Sequence, residues 1–140
     1  MNNFLELKNI SKSFQIERKI KVLKDLSYSF NKGKIYSIMG PSGSGKSTLL
    51  NLISLIDKPT HGSINFNNTQ INFNDSKTND IIRAKNIGII YQQNNLLPDF
   101  NALENIYLPC LSVDDNKKVA ISKAEKLLKQ IGLSNRSSHF

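Results

Sequence analysis

Apolar positions along the chain fall into short runs set apart by polar, Gly-rich or Pro-containing stretches. Phe4, Leu5, Leu7 and Ile10 predict a first strand. Val22 to Phe30 alternates well enough for a second, with Val22, Leu23, Leu26, Tyr28 and Phe30 as its apolar members. Asn31-Lys32-Gly33-Lys34 is a turn signal. Ile35 to Met39 is a short apolar run that reads as a buried strand. Thr48 to Ile56 is apolar nearly all round, which predicts a helix buried on several sides and ended by Asp57-Lys58-Pro59-Thr60-His61-Gly62. Ser63 to Phe66 and Thr69 to Phe73 flank Asn67-Asn68 and predict a hairpin. The polar stretch Asn74 to Asn79 reads as a loop, Asp80 to Lys85 as a short helix, and Ile87 to Tyr91 as another buried strand. Pro98 marks a loop. Asn101 is placed to cap a helix through Leu108. Lys117 to Ile131 is the clearest amphipathic segment, with Ala120, Ala124, Leu127, Leu128 and Ile131 on one face and Gly132 as its C′ residue. Strands mixed with helices indicate an α/β fold, helical from about residue 101 onward.

Composition narrows this picture. A length of 140 residues suits one domain, and 39% hydrophobic with 21% charged residues excludes a disordered chain. The apolar runs are far short of the roughly 20 residues that a membrane helix needs. The first residues lack a basic segment followed by an apolar one, so no signal peptide is expected. Cys110 is the single cysteine and reads as a small buried hydrophobe. These features together predict a soluble, cytoplasmic protein. The net charge of +8 would fit an anionic partner. Yet the chain holds 16 Lys, 18 Asn and 17 Ile against 3 Arg and 4 Ala, a bias toward residues with A- and T-rich codons. The lysines are spread from Lys8 to Lys129, with no Arg-rich arm, zinc-ligand spacing or aromatic-basic motif, so nucleic acid is not an expected partner.

Gly40-Pro41-Ser42-Gly43-Ser44-Gly45-Lys46-Ser47-Thr48 carries the chemistry. It fits G-x-x-x-x-G-K-[ST], between an apolar run and a helical one, as a phosphate-binding loop requires. Glycines let the backbone curl so that N–H groups face phosphate oxygens. The helix that follows adds its free N–H donors and partial positive charge. Lys46 would reach the β- and γ-phosphates, and Ser47 would offer its hydroxyl to Mg²⁺. The loop alone says nucleotide and leaves a small-molecule kinase open. A GTPase is rejected, because Asn31-Lys32-Gly33-Lys34 lacks the Asp of N-K-x-D and lies upstream of the loop.

Three further segments carry a resemblance. Phe4 to Phe14 (FLELKNISKSF) resembles the start of an ABC-transporter ATP-binding subunit, Ile87 to Gln92 (IGIIYQ) its Q-loop strand and Gln, and Leu96 to Ile106 (LLPDFNALENI) the segment that follows. The last is most similar to the lipoprotein-releasing branch, with macrolide-export and cell-division relatives close by. The resemblance covers essentially the whole chain. It implies a P-loop NTPase fold of the ABC type, with residues 1–95 in the nucleotide-binding core part and 96–140 in the Q-loop follow-on and the start of the helical subdomain. It implies ATP and Mg²⁺ as cofactors, Phe14 stacked on adenine, and Gln92 at Mg²⁺ or the nearby water. Gln93 is the less favoured neighbour. The implied partners are the transmembrane subunits and a second copy of the ATP-binding subunit. The implied location is peripheral, on the cytoplasmic face of the bacterial inner membrane. Leu97, Pro98, Phe100 and Glu104 would lie near the groove for a helix of the membrane subunit, the alternative being that Leu97 and Phe100 are core residues.

The sequence also departs from the family. It holds no L-S-G-G, and no apolar strand leading into Asp-Glu; Asp114-Asp115 reads as part of a polar loop. His61 and His139 match other places in the family pattern than its switch histidine and read as surface residues. The resemblance therefore implies the N-terminal part of such a subunit, with the phosphate cradle present and no catalytic residue identifiable. The alternative is a nucleotide-binding remnant that does not hydrolyse. Strands that pair beside the phosphate-loop strand in the family are also expected to be missing.

Overall fold

The computed structural model describes residues 3–113 and 116–140, so Asp114-Asp115 lies outside the described residues. The chain divides into two compact units, Met1–Asp80 and Ile81–Phe140.

The first unit is built on a sheet. β1 (Asn3–Gln15) and β2 (Lys19–Asn31) form a long antiparallel hairpin, and β3 (His61–Phe66) and β4 (Thr69–Gln70) form a second. The order is β2-β1-β3-β4, so β1 pairs on both sides. Leu7 lies opposite Tyr28 on one side and Ile64 on the other. Four irregularities interrupt the register of the long hairpin, and two of them fall where Asn9 (φ 51) and Asp25 (φ 47) turn left-handed. Side chains tie them down. Ser11 Oγ donates to Asp25 Oδ1 at 2.9 Å and accepts from the Asp25 N–H at 3.0 Å. Ser27 Oγ donates to Asn9 Oδ1 at 3.0 Å and accepts from the Asn9 N–H at 2.9 Å.

The core of this unit is Leu5, Leu7, Ile10, Leu23, Leu52, Leu55, Ile64, Phe66 and Ile71. Helix α1 (Lys46–Ile53) contributes Leu52 to it, while Leu50 stays half exposed, so the expected burial on several sides does not occur. The Asn67-Asn68 turn is as predicted. Both residues have positive φ (48 and 63), the pattern of a two-residue turn whose twist matches the strands it joins. Its second strand is shorter than predicted and ends at Gln70. Helix α2 (Ser76–Asn86), shared between the two units, starts earlier than the sequence suggested. Asp75 explains this, because its Oδ1 accepts from the Thr78 N–H at 3.0 Å and satisfies a first-turn donor. The Thr78 hydroxyl and backbone hold the Asp75 carboxyl below its ordinary value.

Two predicted strands are absent. Residues 35–39 form no strand, and Ile35 and Met39 are largely exposed. Residues 87–91 form none either, with Ile90 fully exposed and Tyr91 half exposed. The reason is physical. A strand needs a partner backbone to complete its ladder, and neither run is hydrogen-bonded into the described sheet. Residues 35–39 instead border an apolar cavity of about 320 Å³ lined by Leu7, Leu26, Tyr28, Phe30, Tyr36 and Leu49 among others. Tyr28, Phe30 and Tyr36 meet there edge to face, at 4.9 to 6.0 Å between ring centroids.

The second unit is helical, as predicted from residue 101 onward. It holds α3 (Ala102–Leu111), α4 (Lys117–Gln130) and a 3₁₀ turn (Ser134–Arg136). Asn101 forms a full capping box. Its Oδ1 accepts from the Glu104 N–H at 2.9 Å, and Glu104 Oε2 accepts from the Asn101 N–H at 2.9 Å. Tyr107, Ala120 and Ala124 form the core, and half-buried Cys110 packs against it. The buried stripe of α4 is Ala120, Ala124 and Leu128; Leu127 and Ile131 are exposed, so the face is narrower than predicted.

Gly62 is the most closely packed of the described glycines. Its φ is +91, and a Cβ there would strike the Lys8 and Asn9 carbonyl groups of β1. Gly62→Ala is therefore expected to destabilise the chain by ~2 kcal/mol or more, read as a fall in the urea unfolding midpoint.

Candidate functional site

The Gly40–Thr48 loop leads from the unpaired 35–39 segment into α1. Gly45 is the N-cap of α1, with φ 91 and ψ 10, and no side chain caps the helix. A Cβ at Gly45 would lie 3.0 Å from both the Val22 and Leu23 side chains. A glycine is thus required twice, by its torsion and by the closeness of β2. The loop closes on itself through the Ser44 N–H and the Pro41 carbonyl at 3.3 Å.

Lys46 is the first residue of α1, and its side chain folds back over the loop. Its Nζ donates to the Gly40 carbonyl at 2.9 Å and the Pro41 carbonyl at 2.8 Å. Two of the three ammonium donors hold the loop and the third remains for another acceptor. No acidic residue stands in the first turn of α1, so no carboxylate competes with an anion there. Pro41, Ser42, Gly43, Ser44 and Ser47 are exposed, and Thr48 is half buried. An ammonium with a donor to spare, uncapped helix N–H groups and a curled Gly-Ser backbone are chemically suited to a multiply charged anion.

Phe14 lies near the end of β1, opposite Ile20, and is 38% exposed. Two residues before it, Lys12 pairs in register with Leu23, the residue that touches Gly45. The hairpin that supports the loop is therefore the one that carries Phe14. The Lys12 ammonium sits 4.9 Å from the centre of the Phe14 ring. Sequence reading missed Lys12, since a lysine in an alternating strand normally faces water.

Gln92 lies in the second unit, in an exposed bend after the unpaired 87–91 segment. Leu97 and Phe100 are exposed, which removes the alternative that they are core residues. Asn105, also missed, organises this stretch. Its side chain accepts from the Leu97 N–H at 2.8 Å and donates to the Leu97, Phe100 and Asn101 carbonyls at 2.8 to 3.1 Å. His61 and His139 are exposed, as expected.

Comparison with known proteins decides the family. Residues 23–140 match the ABC transporter family. The chain belongs to the ABC transporter family. Its fold is accordingly that of the ABC-type P-loop NTPases. A dimeric ATP-binding cassette solved in a post-hydrolysis state with ADP and Pi superposes with a TM-score of 0.86 at 37% identity, covering 96% of this chain and 60% of that one. The lipoprotein-releasing system ATP-binding protein LolD of Rickettsia bellii is 45% identical over 96% of this ABC-family chain and 59% of its own length. LolD of Wigglesworthia glossinidia brevipalpis is 43% identical, over 99% and 62%. The macrolide export ATP-binding/permease protein MacB of Bdellovibrio bacteriovorus is 40% identical, over 96% and 21%. The chain thus spans about three fifths of the length of the LolD relatives.

Proposed function

We propose that this chain is the nucleotide-binding part of an ABC-transporter ATP-binding subunit that drives lipoprotein release from the bacterial inner membrane. The arrangement of Lys46 carries the reading: an ammonium already held over a Gly-Ser loop at an uncapped helix start, ready for phosphate. In this proposal Gly40, Pro41, Ser42, Gly43, Ser44 and Gly45 surround the β-phosphate, and all of them except Pro41, which has no N–H, can turn a backbone donor toward it. Lys46 bridges the β- and γ-phosphates through its third donor. Thr48 lies in the first turn, and Phe14 stacks on adenine.

Among the described residues, no group of three or more His, Cys, Asp or Glu is placed to hold a metal. The Ser47 hydroxyl still fits Mg²⁺, which takes few protein ligands and several phosphate oxygens. Bound there, the metal would neutralise phosphate charge. The family resemblance assigns Gln92 to the metal or its water, through an amide oxygen able to accept.

Lipoprotein cargo is favoured by the LolD relatives, and the MacB match supports macrolide export as the second reading. Among the described residues no helix is long and apolar enough to cross a membrane. Attachment to the cytoplasmic face would then come from transmembrane subunits. The exposed Leu97 and Phe100 stretch is the proposed contact, and a second copy of the subunit completes the ATP site.

Lys46→Ala is expected to weaken Mg-ATP binding sharply, measured by calorimetry on folded protein. Phe14→Ala should cost about 1–3 kcal/mol, or roughly 5- to 150-fold in affinity. An unchanged affinity would remove the stacking assignment. The sequence holds neither L-S-G-G nor an apolar strand ending in Asp-Glu, so these 140 residues are expected to show no steady ATPase activity. Phosphate release that vanishes in Lys46→Ala would contradict this. Lipoprotein release by the full subunit with its membrane partners, reconstituted in vesicles, tests the cargo.

A further inference from the structure

Lys12 is the one lysine among the described residues whose side chain is nearly buried, with the residue 8% exposed. A buried ammonium is costly unless its donors are met. Here Nζ lies 2.7 Å from both carboxylate oxygens of Asp57 and 2.8 Å from the Lys58 carbonyl. Its remaining side faces Phe14, with the ring centre 4.9 Å away, within reach of a cation–π contact. Lys12 and Phe14 are two residues apart on β1, and so share one face of the strand.

This cluster does more than pair charges. A cation on one face of the ring leaves the other face for a planar ligand. It also limits the orientations Phe14 can sample, because the cation is itself fixed by two oxygens and a carbonyl. Asp57 lies just beyond the end of α1, the helix whose first residue is Lys46. The segment is thus held to the β1–β2 hairpin at both ends, by Gly45 against Val22 and Leu23 and by Asp57 on Lys12.

We propose that Lys12 is a positioning residue for base recognition: anchored by Asp57 and the Lys58 carbonyl, its ammonium sets the Phe14 ring in the pose that receives the purine. This rests on the reading of Phe14 as the stacking aromatic. It confers affinity for the base and none for the phosphates.

The test compares Mg-ATP with inorganic tripolyphosphate plus Mg²⁺, by calorimetry on the 140-residue chain and its Lys12→Met, Phe14→Leu and doubly substituted variants. Lys12→Met is expected to weaken ATP by roughly 3- to 10-fold, with tripolyphosphate affinity unchanged. In the double variant the loss should not exceed that of Phe14→Leu alone, since no ring remains to be positioned. Equal loss of both ligands, or full additivity, overturns the proposal in favour of a purely structural ion pair. ATP affinity lost in Phe14→Leu but kept in Lys12→Met overturns it while leaving the stacking reading intact. ATP affinity kept in Phe14→Leu overturns both. If Lys12→Met does not fold, Asp57→Asn takes its place. It keeps the Oδ1 that accepts from the Lys58 N–H at 2.7 Å, and it should show the same selective loss for ATP.

Discussion

Strand β1 is bonded along both edges, and the first unit depends on that double pairing. Its backbone groups find partners in β2 and β3, which lets Leu5, Leu7 and Ile10 be buried without stranding polar atoms. The close approach of Gly62 is set by β1, because only a glycine fits against the Lys8 and Asn9 carbonyls. The irregularities at Asn9 and Asp25 lie in the same hairpin, whose Val22 and Leu23 side chains sit against Gly45. Toward its end, β1 delivers Lys12 and Phe14. One strand thus ties the core to the hairpin that supports the phosphate loop and to Phe14.

The loop itself is held unevenly. Its helix end rests on β2, while its entry comes from residues 35–39, which have no ladder partner. Lys46 makes up part of the difference by bonding the Gly40 and Pro41 carbonyls at the entry. The loop's shape therefore comes from local glycine torsions and one lysine, with its exit packed directly on β2 and its entry anchored further back, through Tyr36 against Tyr28 and Phe30.

What the sequence disclosed follows the range of the forces involved. The Asn67-Asn68 turn, the Asn101 cap and the Gly40–Thr48 loop were legible because neighbouring residues determine them. Asp75 was equally local, but a polar stretch before a polar helix carries no hydrophobic period to announce it. Residues 35–39 and 87–91 have the composition of buried strands. Composition cannot show whether a neighbouring backbone is there to pair with them, and neither run is hydrogen-bonded into the described sheet. Lys12 was invisible for the same reason, since the carboxylate that makes its burial tolerable lies 45 residues away. Both ends of the 97–101 stretch are bonded to Asn105, whose role comes from a turn geometry that spacing alone does not encode.

The folded-back Lys46 has a consequence for selectivity among anions. An ammonium that already serves two carbonyls at 2.8 to 2.9 Å gains little from a weak, singly charged ion such as chloride. Such an ion has a single centre and a single charge to share among the lysine and the helix N–H groups. A polyphosphate chain can meet both at once, so its separate contacts reinforce each other. The geometry of one side chain thus favours a long anion over a short one, a preference that charge alone would not give.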